Sequence, residues 1–276
     1  MPDQRAMHLA DLPDDLRADV EFAVSAARSA GERAMSLRAS GRWKDAMLAD
    51  VGDQAADGFL QGLVLGRHPD DGILSEETAD TSARLSKRRV WIIDPLDGTR
   101  EYSQLRSDFA VHVALVIDDR PALAAVALPA QERVIWGVCI PGRACAGLEG
   151  PGELSTGAQP TPARARIAVS RSHTPSWMPR FSELLHGELV HSGSVGNKVA
   201  LLLLGAADVY AHRRGLKEWD TCAPEIVARS LGWSVTRLSG DEQRYNQPDP
   251  RIDEFLCCRP ADRDRVFAAL RDAGVV

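Results

Sequence analysis

The run Val90-Trp91-Ile92-Ile93-Asp94-Pro95-Leu96-Asp97-Gly98-Thr99 decides how the rest of the chain is read. Bulky apolar residues in succession predict a buried β-strand that ends at the carboxylate of Asp94. Pro95 lacks the N–H that a sheet ladder needs, so the strand is expected to stop and turn there. A second acid, Asp97, follows, and Gly98-Thr99 opens what reads as a new element. Two carboxylates about 5 Å apart repel by about 3 kcal/mol at an effective dielectric of about 20. A fold that keeps both therefore calls for a cation or a proton beside them. The bland alternative is a turn with an Asp cap and a glycine hinge.

Length and composition frame that choice. A chain of 276 residues with 44% hydrophobic content can bury a large core, as one domain or two joined halves. The net charge of −6 argues against a nucleic-acid polymer or an anionic membrane as partner. A small anionic ligand stays compatible if metal ions or local Arg and Lys residues receive it. Asp3, Asp11, Asp14 and Asp15 occupy the N-terminal stretch without an apolar core, so no secretory signal is read there. The longest apolar run, residues 199–207, is too short to cross a bilayer. Cys139, Cys145, Cys222, Cys257 and Cys258 show no metal-ligand spacing and read as reduced thiols. These features together predict a cytoplasmic protein.

Around the central run, the first 150 residues read as an α+β half and residues 163–276 as an α/β half. Helical spacing is expected over residues 12–40 and 53–65, with Asp53 capping the second helix after Gly52. Residues 73–74 lead into Ser75-Glu76-Glu77, and residues 81–89 read as a polar surface loop. Residues 109–117, 122–128 and 133–140 predict successive strands of an antiparallel sheet. Residues 147–162, rich in Gly and Pro, read as the seam between halves. Beyond it, strands at 166–170, 188–191, 208–212, 233–238 and 254–258 alternate with helices at 175–185, 195–204, 220–231 and 262–273. Such alternation predicts helices packed on a sheet.

Glu218-Trp219-Asp220 is the third informative place, because Asp220 is expected to cap a helix and to point its carboxylate out of the helix end. Glu76, Glu77, Asp94, Asp97 and Asp220 thus all stand at ends of predicted elements. Oxygen ligands without a nearby His or Cys select a hard cation, Mg²⁺ before Zn²⁺. Two such ions would relieve the repulsion and clamp the attacking and leaving oxygens of a displacement at phosphorus. Gly98 and Thr99 would offer N–H groups to a phosphate.

Asp94-Pro95-Leu96-Asp97-Gly98-Thr99, the upstream Ser75-Glu76-Glu77 and the downstream Trp219-Asp220 together resemble the signatures of the inositol monophosphatase superfamily. The likeness spans nearly the whole chain. It implies a layered αβαβα sugar-phosphatase fold of mixed α/β class and a Mg²⁺-dependent, lithium-sensitive phosphatase using two or three ions. It further implies that Glu76, Asp94 and the Leu96 carbonyl hold a first metal, and Asp94, Asp97 and Asp220 a second. Thr99, paired with Asp53 or its competitor Asp50, would position the attacking water. Superfamily members often pair as homodimers.

Within the superfamily, Ile73-Leu74-Ser75-Glu76-Glu77, Arg100-Glu101-Tyr102, Glu218-Trp219-Asp220 and Arg244-Tyr245-Asn246-Gln247 look most like the CysQ branch, in its actinobacterial forms. That likeness implies hydrolysis of the 3′-phosphate of 3′-phosphoadenosine 5′-phosphate to AMP, a step attached to sulfate assimilation. Arg213 stands where inositol-specific members place a glutamate, and a guanidinium there suits a second phosphate. His212, Arg214, Lys217 and Glu218 complete the expected substrate-selecting stretch. The alternatives are an inositol-1-monophosphatase or fructose-1,6-bisphosphatase of the same superfamily, and a non-catalytic phospho-ligand sensor on the same scaffold. A covalent phosphatase of the haloacid dehalogenase type fits poorly, because its two aspartates are separated by one residue rather than two.

Overall fold

A computed structural model describes residues 9–159 and 162–276. Asp3 and the seam residue Pro160, both used in the sequence reading, lie outside the described residues. Helices α1 (Asp14–Ala39) and α2 (Asp45–Arg67) come first, followed by strands β1 (Gly72–Ser75) and β2 (Arg89–Asp97). A five-residue helix α3 (Thr99–Ser103) leads to β3 (Ala110–Ile117), β4 (Arg120–Leu128), β5 (Arg133–Ile140) and β6 (Arg143–Glu149). These six strands form one sheet in sequence order, with β1 parallel to β2 and the rest antiparallel.

The second sheet uses β7 (Arg166–Ser170), β8 (Glu188–Ser192), β9 (Val209–Lys217), β10 (Ser234–Thr236) and β11 (Arg251–Cys258) in the order β10-β11-β9-β7-β8. Helices α4 (Met178–Leu184), α5 (Val195–Leu203), α6 (Glu218–Ser230) and α7 (Arg263–Asp272) complete the described chain.

Three apolar clusters show how the layers stack. Trp91 and Ile93 of β2 face α1 and α2, where Val20, Val24, Ala27, Ala30, Leu60 and Val64 pack. Val90 and Ile92 face the opposite way, onto Val199 and Leu203 of α5 and Ile226 and Val227 of α6. The far side of that helix pair meets the second sheet through Tyr210, Phe255 and Cys257. Its outer face, with Ile167, Val169, Leu256 and Cys258, is covered by Phe181 of α4 and Val266 and Leu270 of α7. The order is therefore αβαβα. Because both faces of β2 are covered, its residues are apolar in succession rather than alternating. Full burial of Val90, Ile92 and Ile93 stabilises the fold by about 2 kcal/mol apiece. Among the described residues no helix is long and apolar enough to cross a membrane. The five cysteines are free thiols, with Cys257 and Cys258 fully buried.

Several boundaries differ from expectation. Helix α2 begins at Asp45, so Asp53 lies inside it and is not its cap. The misleading signal is Gly52, which reads as a helix start but is there because the Tyr102 ring approaches. A Cβ at position 52 would come within 2.6 Å of that ring. Strand β2 does not end at Asp94. It bulges through Pro95 and Leu96, then pairs again at Asp97. The seam starts later than residue 147, since β6 runs to Glu149. Its sequence, Arg-Ala-Cys-Ala-Gly-Leu-Glu, lacks the β-branched residues that mark a strand. Strand β9 continues to Lys217, which places Arg213 and Arg214 on a strand rather than in a loop. Residues 81–89 are not uniformly exposed either, because Arg84 is buried.

Candidate active site

The end of β2 supplies Asp94 and Asp97. Leu96 N–H donates to Asp94 Oδ1 at 3.1 Å across the bulge, which fixes that carboxylate. Next to it, His112 of β3 is the direct cross-strand partner of Asp94. Its Nδ1 stands 3.1 Å from the Trp219 carbonyl, and its Nε2 lies 3.2 Å from Asp97 Oδ2 without hydrogen-bond alignment. One donor atom each from Asp94, Asp97 and His112 falls within 4.8 Å of the others.

Two helix starts close the site from the second half. Gly196 N–H, at the start of α5, donates to Asp97 Oδ2 at 2.7 Å. A Cβ on residue 196 would sit 2.1 Å from His112 Nε2, so only glycine lets α5 approach this closely. At the start of α6, Asp220 Oδ2 accepts from Lys217 N–H at 2.6 Å. Asp220 is thus the third helical residue rather than the cap, and its carboxylate reaches back to the backbone N–H of the N-cap residue Lys217.

The opposite wall comes from α2 and the end of β1. Asp53, buried on α2, is the acid beside Thr99, whereas Asp50 is exposed. Thr99 Oγ1 donates to the Leu96 carbonyl at 3.3 Å. Glu76 directly follows β1. The residue as a whole keeps solvent-exposed area, while its carboxyl end is desolvated among Asp220 and Asp97.

Electrostatics record the crowding. Burial, then the charges of Glu77 and Glu76, push the Asp53 carboxyl up to about 8, against the Thr99 hydrogen bond. Desolvation followed by Asp220 and Asp97 raises Glu76 to about 7. Burial and then Asp97 raise Asp220 to about 7. Asp94 is held well above the ordinary carboxylate range by burial, then by Asp97 and Glu76. Asp97 is the exception. Burial works to raise it, but His112, Lys198 and the Gly196 N–H outweigh that and hold it low.

These residues fit a hard divalent cation. Asp94 Oδ2 and Asp53 Oδ1 are buried oxygens with no hydrogen-bond partner, which is costly unless something positive meets them. His112 Nδ1 faces the Trp219 carbonyl, and the carboxylates supply the hard oxygen ligands.

A profile of the inositol monophosphatase family matches residues 15–272. The chain belongs to the inositol monophosphatase family. It is 38% identical over 252 residues to a 3′-phosphoadenosine 5′-phosphate phosphatase of Mycobacterium leprae, covering 87% of this chain and 89% of that one. A protein of the same name from Mycobacterium bovis is 38% identical over 234 residues, covering 82% and 83%. Among solved structures, CysQ from Bacteroides thetaiotaomicron superposes with a TM-score of 0.73 at 26% identity, over 88% of this chain and 97% of that one. Enzymes of the inositol monophosphatase family use metal ions, in keeping with the acid cluster here.

The expected substrate stretch is more varied than its sequence suggests. Arg213 and Arg214 are exposed on β9, Arg214 with a left-handed φ of 70°. His212 does not add charge to this basic stretch. Burial drives its pKa down to about 4, and its Nε2 stands 2.9 Å from the Arg214 carbonyl. Glu218 is fully buried, and its two oxygens accept from the backbone N–H groups of Asn246 (2.7 Å) and Gln247 (2.8 Å). Both oxygens are thus engaged by a neighbouring loop.

Two residues in the site escaped the sequence reading. His112 is a lone polar residue in an apolar strand, a signal that identifies nothing until the register with Asp94 is known. Lys198 is buried on α5, where its ammonium donates to the Gly193 carbonyl and lies 5.3 Å from the Tyr210 ring. Burial lowers its pKa to about 8, against the pull of Asp97 and Glu101.

Proposed function

We propose that this protein is a Mg²⁺-dependent phosphatase that removes the 3′-phosphate of 3′-phosphoadenosine 5′-phosphate, yielding AMP and phosphate. The observation that carries the substrate is the 38% identity, over most of both chains, to mycobacterial proteins bearing that name. The reaction class is supported independently by Asp94 and Asp97, buried side by side, with Glu76 and Asp220 near enough to Asp97 that its charge adds to burial in raising their carboxyls.

In this reading Glu76, Asp94, Asp97, Asp220 and the Leu96 carbonyl hold two or three Mg²⁺ ions. When bound, the ions supply positive charge at the phosphoryl oxygens and make a nearby water more acidic. The chain's own residues do the rest. Thr99 hydroxyl and Asp53 form the pair that aligns the attacking water; without metal the Asp53 carboxyl is raised to about 8, and it becomes a proton acceptor near neutral pH as bound cations lower it. Gly98 and Thr99 receive the phosphoryl group at the end of β2. Asp97, fixed by Gly196 and the neighbouring His112, keeps its charge toward the ions. Arg213 and Arg214, the exposed cations of β9, meet the second phosphate of the nucleotide. No covalent phosphoenzyme forms.

A panel of phosphate esters assayed for phosphate release with Mg²⁺ tests the proposal. The nucleotide bisphosphate is expected to have the highest kcat/KM. A preference for inositol 1-phosphate or fructose 1,6-bisphosphate would replace the substrate and keep the mechanism. Absence of turnover on every ester would leave the phospho-ligand sensor.

A further inference from the structure

Glu76 occupies an unusual position for a metal ligand. It lies just past a four-residue edge strand, in a turn without ladder pairing, and its nearest charges, Asp220 and Asp97, repel it. Left to itself, such a turn relaxes outward, where water solvates the carboxylate. Something on the chain must hold it inward.

The residues on either side of the Glu76-Glu77 pair show what does so. Ser75 hydroxyl donates to Asp57 Oδ1 at 2.5 Å, and Thr78 hydroxyl donates to Asp57 Oδ2 at 3.0 Å. A single carboxylate thus grips both ends of the dipeptide. Asp57 is buried on α2, one helical turn beyond Asp53 and therefore on the same face of that helix. Gln61 Nε2, a further turn on, donates to the same Asp57 oxygen at 2.6 Å and also contacts Thr78. With three donors converging on it, Asp57 is itself fixed. No part of the family likeness assigns this residue a role.

We propose that Asp57 is a positioning residue, which clamps the Glu76-Glu77 turn through Ser75 and Thr78 and so sets Glu76 for metal binding. This rests on the phosphatase reading above. Helix α2 then serves the site twice, carrying Asp53 to the water and holding Glu76 to the ions. Carboxylates that orient a metal ligand, without touching the metal, typically alter metal affinity by about ten- to a hundredfold when removed.

The test is a Mg²⁺ titration of the full chain by calorimetry, with activity measured in parallel, for Asp57→Ala, Asp57→Asn, Ser75→Ala and Thr78→Val. Asp57→Ala is expected to weaken Mg²⁺ binding about tenfold and to raise the Mg²⁺ needed for half-maximal activity by the same factor. KM for the phosphate ester at saturating Mg²⁺ should stay near the wild-type value. Asp57→Asn, which keeps one acceptor oxygen, should lose less. If Asp57→Ala does not fold, the Ser75→Ala and Thr78→Val variants read the same clamp from its donor side. A lowered melting temperature with unchanged Mg²⁺ affinity in all of them would make Asp57 a packing residue and overturn the proposal. A wild-type chain that binds no Mg²⁺ would instead overturn the phosphatase reading, and the clamp with it.

Discussion

Strands β1 and β2 run parallel side by side and both end in acids of the site, but they are held by different means. β2 is paired along both edges, to β1 and β3, and Asp94, just before its bulge, is completely buried. Its position is set by the main-chain ladder and by the Leu96 N–H. β1 is the sheet's edge and four residues long, and Glu76 beyond it keeps exposed area. There the main chain has run out of partners, and side chains take over. Asp57 grips the near end of the turn. Farther along, buried Arg84 ties Asp80 to Asn246 and to the Gln247 carbonyl, each at 2.8 Å. Those two residues are in turn braced by Glu218, two positions before Asp220. One acid is fixed by the fold itself. The other is fixed by replaceable hydrogen bonds, and so its placement can be altered without unfolding the sheet.

The contrast is open to direct attack. Asp94→Asn and Asp220→Asn should each lower kcat by about two orders of magnitude or more, a loss that excess Mg²⁺ does not repair. Wild-type-like phosphate release from either variant would remove the mechanism. Arg84→Met, by contrast, frees only the far end of the β1 turn. It should raise the Mg²⁺ required for half-maximal activity by about tenfold and be repaired by excess Mg²⁺. A kcat defect that persists at saturating Mg²⁺ would show that both strands are fixed in the same way. A smaller effect is expected at the substrate wall, where Arg213→Glu should lower kcat/KM for the nucleotide bisphosphate about tenfold. Inositol 1-phosphate should be hardly affected, and equal losses would separate Arg213 from the second phosphate.

The mildest expected effect is on melting. Without metal, Asp53, Glu76 and Asp220 are raised to about 8, 7 and 7, from ordinary values of 3.8, 4.5 and 3.8. Between those limits the folded chain binds more protons than the unfolded one. The contribution of these three groups to the stability of the metal-free protein therefore falls as pH rises from about 4 to about 8. Mg²⁺ favours the charged carboxylates, so the rise in Tm it produces should be larger at pH 8 than at pH 5.5. Calorimetric scans at both values, with and without Mg²⁺, check the sign.

Much of this was legible in the amino-acid order. The uninterrupted apolar run before Asp94 announced a buried strand, and the αβαβα layering implied by the family likeness covers both its faces. Asp94 and Asp97 could be picked out because they stand where an apolar run stops, and the fold brings them together. What could not be read was cross-strand register. His112 enters the site through its pairing with Asp94, a relation between strands that no local spacing encodes. Lys198 was hidden for a related reason, since its apolar neighbours read as ordinary core helix. Glu218 has partners that local sequence does not announce. Its place beside Trp219-Asp220 suggested contact with substrate, and the backbone of Asn246 and Gln247 takes up both its oxygens.

The bulge at Pro95 and Leu96 has a consequence of parity. In a regular strand, residues an odd number apart point to opposite sides, so Asp94 and Asp97 would face away from each other. Here Asp94 lies opposite His112 and Asp97 opposite Ala110, three steps on one strand against two on the next. The skipped step turns both acids toward a single imidazole. Regular pleating that kept all three steps between them would leave every acidic letter in place and still point one of them the wrong way.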